Sequence, residues 1–226
     1  MRKPLLCVWV LTVCFGVAVV LAGCDPASVY GPLKGQWTDQ TSGPIAAKPA
    51  VAGSTVYVGS WDGNEYAFGE ASGSLNWMSY LGVTQGNCGG TIYTQGVTSS
   101  PWLQSGIAYL GGGGSTWDAL DALTGRVLWT VPTGNNSLTG GHYNWSSPVV
   151  YNGEAYVGIA SFCDSPLVQG RLLRVNLSTR QIDHVFKVVP DGQVGGGIWT
   201  NPVVDSTSNT VFVATGNASR GNGLYG

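Results

Sequence analysis

Ala119-Leu-Asp-Ala-Leu-Thr-Gly-Arg-Val-Leu-Trp129 is a strand, a tight turn and a second strand in eleven residues. Ala119 and Leu120 close the first strand, and Val127 to Trp129 open the next. Between them, Asp121 and Thr124-Gly125 have turn chemistry. A carboxylate bonds backbone N–H groups just ahead of it, and Gly accepts positive φ at little steric cost. The segment recurs. Ala67-Phe-Gly-Glu-Ala-Ser-Gly-Ser-Leu-Asn-Trp77 has Ala, Gly and Trp at the same places, and Arg174-Val-Asn-Leu-Ser-Thr-Arg180 is a degenerate third copy.

Working outward, the landmarks around the turn recur too. Units start at Pro49, Pro101, Pro148 and Pro202, with steps of 52, 47 and 54 residues. Tyr57, Tyr109 and Tyr156 each fall eight residues after their Pro, and Trp77 and Trp129 each fall twenty after their Tyr. Each unit reads as four short strands. Val56 to Gly59, the Asp62-Gly63 turn, Glu65 to Phe68 and Leu75 to Leu81 show this in the first unit. Units of roughly 40–50 residues with four strands are propeller blades. One small sheet cannot bury both faces, so blades stack, and a Trp brings a large apolar body with one N–H to bridge them. The expected fold is all-β: a β-propeller of four-stranded antiparallel blades, with three full blades and part of a fourth. It occupies 44–226 and reads as part of a larger propeller. In this scheme Asp121, Gly125, Trp77 and Trp129 are structural.

Composition agrees. The 226 residues are 43% hydrophobic and 10% charged, with net charge −2, 35 Gly and 9 Trp. Short strands and tight turns account for that profile, and near-neutrality argues against nucleic acid as a partner. The N-terminus reads as an export signal over 1–23: Arg2 and Lys3, an apolar run from Leu5 to Ala22, then Leu21-Ala-Gly-Cys24. The last four residues resemble the bacterial lipobox, which implies lipidation at Cys24 and a membrane tether. Residues 24–43, with Trp37, read as a lead-in. An exported chain sits where disulfides persist. Of five cysteines, Cys88 and Cys163 lie within the propeller, and they are the disulfide candidates.

The unit Pro-x-Val…Val-Tyr-Val-Gly…Ala-Leu-Asp-x-x-Thr-Gly-x-x-x-Trp resembles the pyrroloquinoline quinone (PQQ) repeat. That family contains quinoprotein alcohol dehydrogenases and non-catalytic scaffold lipoproteins such as the propeller subunit of the outer-membrane protein assembly machine. Gly195-Gly196-Gly197-Ile-Trp199 and Ala214-Thr-Gly-Asn217 resemble the stretch under the dehydrogenase cofactor. The resemblance implies Trp199 stacking on PQQ, Gly196 and Gly197 letting backbone approach the ring, and Asn217 ligating calcium. A flat aromatic floor suits a flat quinone, and calcium takes oxygen ligands. The chain departs from the dehydrogenases elsewhere. Ser99-Ser100 stands where they carry adjacent cysteines, Asp164-Ser165 lies near their calcium Glu, and Trp145 precedes the third-blade Pro. No catalytic residue is assigned.

Two expectations follow. The first is an exported, membrane-tethered propeller binding PQQ and calcium, as a relative of PQQ-dependent alcohol dehydrogenases. The second is a scaffold lipoprotein that binds protein partners through blade-edge loops. His142 and His184 have no companion ligands at zinc spacing. Gly111 to Gly114 lacks the Lys-Ser/Thr and helix of a phosphate loop.

Overall fold

The computed structural model describes residues 35–216, 218–220 and 223–224. Every regular element among them is a strand. Cys24 and Asn217, with their expected roles, lie outside the described residues, as does the apolar N-terminal run.

The first blade is β1 (Ala50–Ala52), β2 (Thr55–Gly59), β3 (Asn64–Gly69) and β4 (Leu75–Tyr80), hydrogen-bonded in that order. A two-stranded excursion follows, β5 (Thr84–Cys88) with β6 (Thr91–Gln95). The second blade is β7 (Trp102–Gln104), β8 (Ile107–Gly112), β9 (Thr116–Asp121) and β10 (Val127–Pro132). The third adds a short inner strand, β11 (His142–Tyr143), to β12 (Val149–Tyr151), β13 (Glu154–Ser161), β14 (Arg171–Asn176) and β15 (Gln181–Lys187). Of the fourth unit, β16 (Val194–Gly195) pairs β19 (Ala218–Arg220), which pairs β20 (Gly223–Leu224). β17 (Val203–Asp205) pairs β18 (Thr210–Phe212). All pairings between strands are antiparallel, as the repeat predicts.

The register explains the repeated residue types. Tyr57, Ala67 and Trp77 form one row across blade 1, and Tyr109, Ala119 and Trp129 the same row across blade 2. In each row the two rings tilt by 55° over the alanine, with centroids 5.9 and 6.1 Å apart. Both alanines are fully buried. Only a methyl fits between the rings, which is why Ala recurs. In blade 3 the row reads Tyr156, Arg174, His184. With Arg174 in the alanine place and no Trp, that outer end is polar, and Arg174 pairs with Asp183 at 2.8 Å instead. A register shift falls at this row in all three blades.

The opening turn works as expected. Asp121 Oδ1 accepts from the N–H groups of Leu123 (3.1 Å) and Thr124 (2.9 Å) and from the Thr124 hydroxyl (2.8 Å). These donors hold the Asp121 carboxyl below its ordinary pKa. Gly125 closes the turn at φ 73°. In the third copy Asn176 plays the Asp role, accepting from the Ser178 and Thr179 N–H groups, and Arg180 takes the Gly place at φ 59°.

The turn also clasps its neighbour. Trp77 Nε1 and the Tyr57 hydroxyl, both of blade 1, donate to the Ala122 carbonyl of blade 2, each at 3.1 Å. The Trp77 ring lies against Gly125. Trp129 is less well covered than Trp77. Both Trp129 and Leu177 pack against the blade 2–3 core, and the third copy of the turn has Arg180 at the position of Gly125.

Nearer the centre a second rule recurs. Gly59, Gly111 and Gly158 lie against Val97, Asn144 and Ile198, the residues leading into the next unit. A Cβ on these glycines would stand 2.6, 2.8 and 2.3 Å from them. Asn144 is the polar exception among the three. Fully buried, it accepts from the Thr133 hydroxyl at 2.8 Å and donates to the Thr116 carbonyl.

Two differences from the sequence reading concern the ends of blade 1. The lead-in forms no strand over 36–43, yet it is docked. Trp37 donates to the Glu70 carbonyl at 2.7 Å and covers Phe68 at 6.0 Å. The β5–β6 excursion was not expected, and Cys88 ends a strand rather than lying in a loop.

Candidate functional site

The axial ends of blades 3 and 4 enclose a cleft of about 640 Å³. Trp145, Phe162 and Leu167 form one wall, and Gly196, Gly197 and Trp199 another. Asp164 and Thr215 add polar groups, and among the described residues no Lys or Arg lines it.

The local chain dictates each wall. Ile198 is fully buried against Gly158, and its N–H reaches the Ile159 carbonyl at 3.1 Å. With Ile198 pinned inward, the next side chain, Trp199, must point away from the blade core, and it is 62% exposed. Gly216 N–H donates to the Gly197 carbonyl at 2.8 Å, and a Cβ on Gly216 would sit 3.2 Å from the Trp199 Nε1. Gly196 adopts φ 67°, and Gly197 faces Ala160 at 2.8 Å from a would-be Cβ. Packing alone therefore requires these two glycines, which line the cleft without side chains, Gly196 buried and Gly197 half-buried.

The opposite wall is held more firmly. Trp145 Nε1 donates to the Ser161 carbonyl at 2.8 Å, and its ring stacks on Phe162 at 6.3 Å and 22°. Tyr143 meets both rings edge-on, at 5.0 and 5.3 Å, and its hydroxyl donates to the Gly96 carbonyl. Burial pushes the Tyr143 hydroxyl well above the usual tyrosine pKa, so it stays a donor. Val168 N–H bonds the Ser161 hydroxyl at 2.9 Å, folding the 162–168 loop back on its own strand.

The cleft thus gathers Trp199, Gly196 and Gly197 from the sequence reading, and with them Asp164. It does not gather Ser99 or Ser100. Ser99 is buried beside Gly111, while Ser100 bonds Lys48 and Ser147 in neighbouring units. Cys88 and Cys163 are bonded to each other, with Cα atoms 5.2 Å apart at a sequence separation of 75. The sequence singles out neither Phe162 nor Leu167, and it marks Trp145 as a departure from the dehydrogenases and as a structural partner of Trp199 near the axis. The signal for Trp145 was its place three residues before Pro148, matching Trp199 before Pro202.

A flat ring system fits this geometry: aromatic walls, glycines without side chains and an exposed indole. For a metal the described residues offer the Asp164 carboxylate with the Thr215 and Ser161 oxygens nearby. These are hard donors of the kind calcium takes. Among the described residues no cluster of three or more His, Cys, Asp or Glu could hold a metal ion.

Comparison with known proteins bears on the fold. A family model described as outer membrane protein assembly factor BamB, a PQQ-type repeat model, matches residues 34–221. Polyvinylalcohol dehydrogenase of a Pseudomonas species is 23% identical, over 82% of this chain and 32% of that protein. Among solved structures, quinohemoprotein alcohol dehydrogenase from Comamonas testosteroni superposes with a TM-score of 0.66 at 21% identity, covering 78% of this chain and 30% of that one. BamB from Moraxella catarrhalis gives 0.57 at 18%, covering 81% and 53%. The chain spans about a third of the length of the dehydrogenases it matches.

Proposed function

The chain belongs to the family of PQQ-like repeat propellers that includes BamB, and from that premise we propose that it binds pyrroloquinoline quinone in the Trp199 cleft as a relative of the alcohol-oxidising quinoproteins. The observation that carries the reading is the Trp199 indole, exposed beside Gly196 and Gly197, which carry no side chain, in a cleft of about 640 Å³. The quinone, when bound, supplies the two-electron acceptor for oxidation of an alcohol. The chain's own part is to bind and orient it. Trp199 offers a flat face, Trp145 and Phe162 a rigid aromatic wall that excludes water, and Gly196 and Gly197 a close backbone approach. Among the described residues no cation lines the cleft, and a metal beside an anionic quinone would offset its charge. Asp164 and Asn217 are the residues we propose for calcium. We further propose export, with Cys24 as the lipid-bearing residue and the membrane as the tethering partner.

The test is to incubate the full chain with PQQ and calcium. The reading expects bound quinone absorbance, quenching of tryptophan fluorescence and dye-linked oxidation of alcohols, polyvinyl alcohol among them. Trp199→Ala should lose the quench and keep the fold. Absence of bound quinone would overturn it. A second reading, a scaffold that binds protein partners, is favoured by the engagement of Ser99 and Ser100 in packing between units. Its mark would be a full chain that captures a partner protein and never retains quinone.

A further inference from the structure

The Cys88–Cys163 bridge lies where a surface excursion meets the wall of the cleft. Cys163 is flanked by Phe162 and Asp164, both of which line the cleft. Cys88 ends β5, at the tip of the β5–β6 hairpin. The hairpin is anchored at its base by the Thr84 hydroxyl, which donates to the Gly113 carbonyl at 2.6 Å. Along its length Gly86 presses on Phe162 so closely that an added Cβ would fall inside the ring. Tyr143, which holds the other side of Phe162, is in turn bonded to Gly96, just beyond β6. The hairpin therefore backs the cleft wall, and the bridge is the one covalent link between them.

The loop on the cleft side has little else to hold it. Phe162 N–H bonds the Gly141 carbonyl at 2.9 Å and Val168 N–H bonds the Ser161 hydroxyl at 2.9 Å. Between these two anchors lie Cys163, Asp164, Ser165, Pro166 and Leu167. Asp164 is held at φ 55°, in the left-handed region that non-glycine residues visit at a cost. Pro166 packs on Gly141, and the remaining hold on the middle of the loop is the bridge, so cutting it lets the backbone around Cys163 and Asp164 open locally.

We propose that the Cys88–Cys163 bridge is a redox-sensitive strap that sets the shape of the cleft, so that its reduction frees the 163–167 segment, with Asp164 and Leu167, beside the fixed Phe162 ring and weakens retention of a planar ligand while the blades stay folded. The inference rests on the cleft being the ligand site. The chemistry is thiol–disulfide exchange. An external dithiol supplies two electrons and two protons, the S–S bond breaks, Cys88 and Cys163 become thiols, and the dithiol closes to its own disulfide.

The full chain is compared in four states: oxidised, treated with dithiothreitol, reoxidised, and as C88S/C163S. Hydrogen exchange of the 162–168 and 84–95 backbone, circular dichroism and PQQ titration by tryptophan quenching are read in each. The expected result is faster exchange confined to those two segments in the reduced protein and the double variant, with unchanged circular dichroism and full reversal on reoxidation. PQQ should bind roughly 10- to 1000-fold more weakly when the wall side chains must be ordered on binding. Equal exchange and equal affinity in all states would overturn the strap. So would loss of the β-sheet signal on reduction, since the bridge would then hold the whole fold. Failure of the oxidised protein to bind PQQ refutes the ligand reading alone, because the exchange comparison needs no ligand.

Discussion

Gly125→Ala should destabilise the propeller by about 2–5 kcal/mol, in two separable parts. The first is conformational. Gly125 sits at φ 73°, where a Cβ collides with its own backbone at a cost of roughly 1–2 kcal/mol. The second is steric. The new Cβ would stand 2.5 Å from Trp77 Cε3 and 2.6 Å from the Ser79 hydroxyl, which itself donates to the Gly125 carbonyl. Ordinary contact begins near 3.5 Å, and overpacking of this kind costs about 1–3 kcal/mol. For a chain of this size the sum corresponds to a loss of about 4–20 °C in Tm. Equilibrium urea unfolding of wild type, Gly125→Ala, Trp77→Leu and the double variant separates the parts. In the Trp77→Leu background the collision with the indole is gone while that with the Ser79 hydroxyl remains, so Gly125→Ala should cost less than in wild type but still more than the roughly 1–2 kcal/mol of the turn alone. Arg180→Gly, at the matching turn of the third copy, removes a left-handed side chain but adds chain entropy, and should leave stability within about 1 kcal/mol. If Gly125→Ala unfolds within about 0.5 kcal/mol of wild type, the packing of turn on indole is not what holds these two blades together.

Three further predictions concern single residues. Trp77→Ala should cost about 3–5 kcal/mol, and Trp129→Ala less, because Trp77 is buried and bonded to Ala122 while Trp129 is only partly covered; equal losses by urea unfolding would contradict that ranking. Glu65 is fully buried with neither carboxylate oxygen bonded, and burial raises its pKa well above the ordinary value. Its proton is held more tightly folded than unfolded, so its contribution is full below the unfolded pKa and is lost as pH rises through the folded one. Glu65→Gln should therefore gain on wild type progressively as pH rises above the usual carboxylate range, then level off, and a pH-independent difference would refute the assignment. Trp145→Ala should both lower Tm and weaken ligand binding, whereas Trp199→Ala should weaken binding at unchanged Tm, because Trp145 is wedged on Phe162 and Trp199 is open.

The blades were legible because one burial problem is solved repeatedly, and each solution leaves the same residues behind. Tyr, Ala and Trp at fixed spacing form a row of two rings over a methyl, and Asp121 with Gly125 spells out a turn. Where the row decays to Tyr156, Arg174 and His184, the strands survive but the aromatic contact does not, and the copy was correspondingly hard to read. Glu65 was opaque for a physical reason. It alternates with Tyr66 and Phe68, which in a one-sided sheet marks a solvent face. A propeller blade buries both faces, so alternation there carries no sign of exposure. The β5–β6 hairpin lacks the alternating apolar pattern of a strand, since Thr84 to Gln95 is mostly polar or Gly, and its contact with Phe162 is visible only in space. Trp145 and Trp199 share a place in the repeat, yet their neighbours give one a wedged ring and the other an open one.

The clasp at Ala122 has a further consequence. Its acceptor belongs to blade 2, but both donors, Tyr57 and Trp77, belong to blade 1. Blade 1 is thus finished by its successor, so at this interface stability runs along the chain in one direction, as nearest-neighbour coupling with a built-in polarity. Damage to a turn should be felt first in the blade before it.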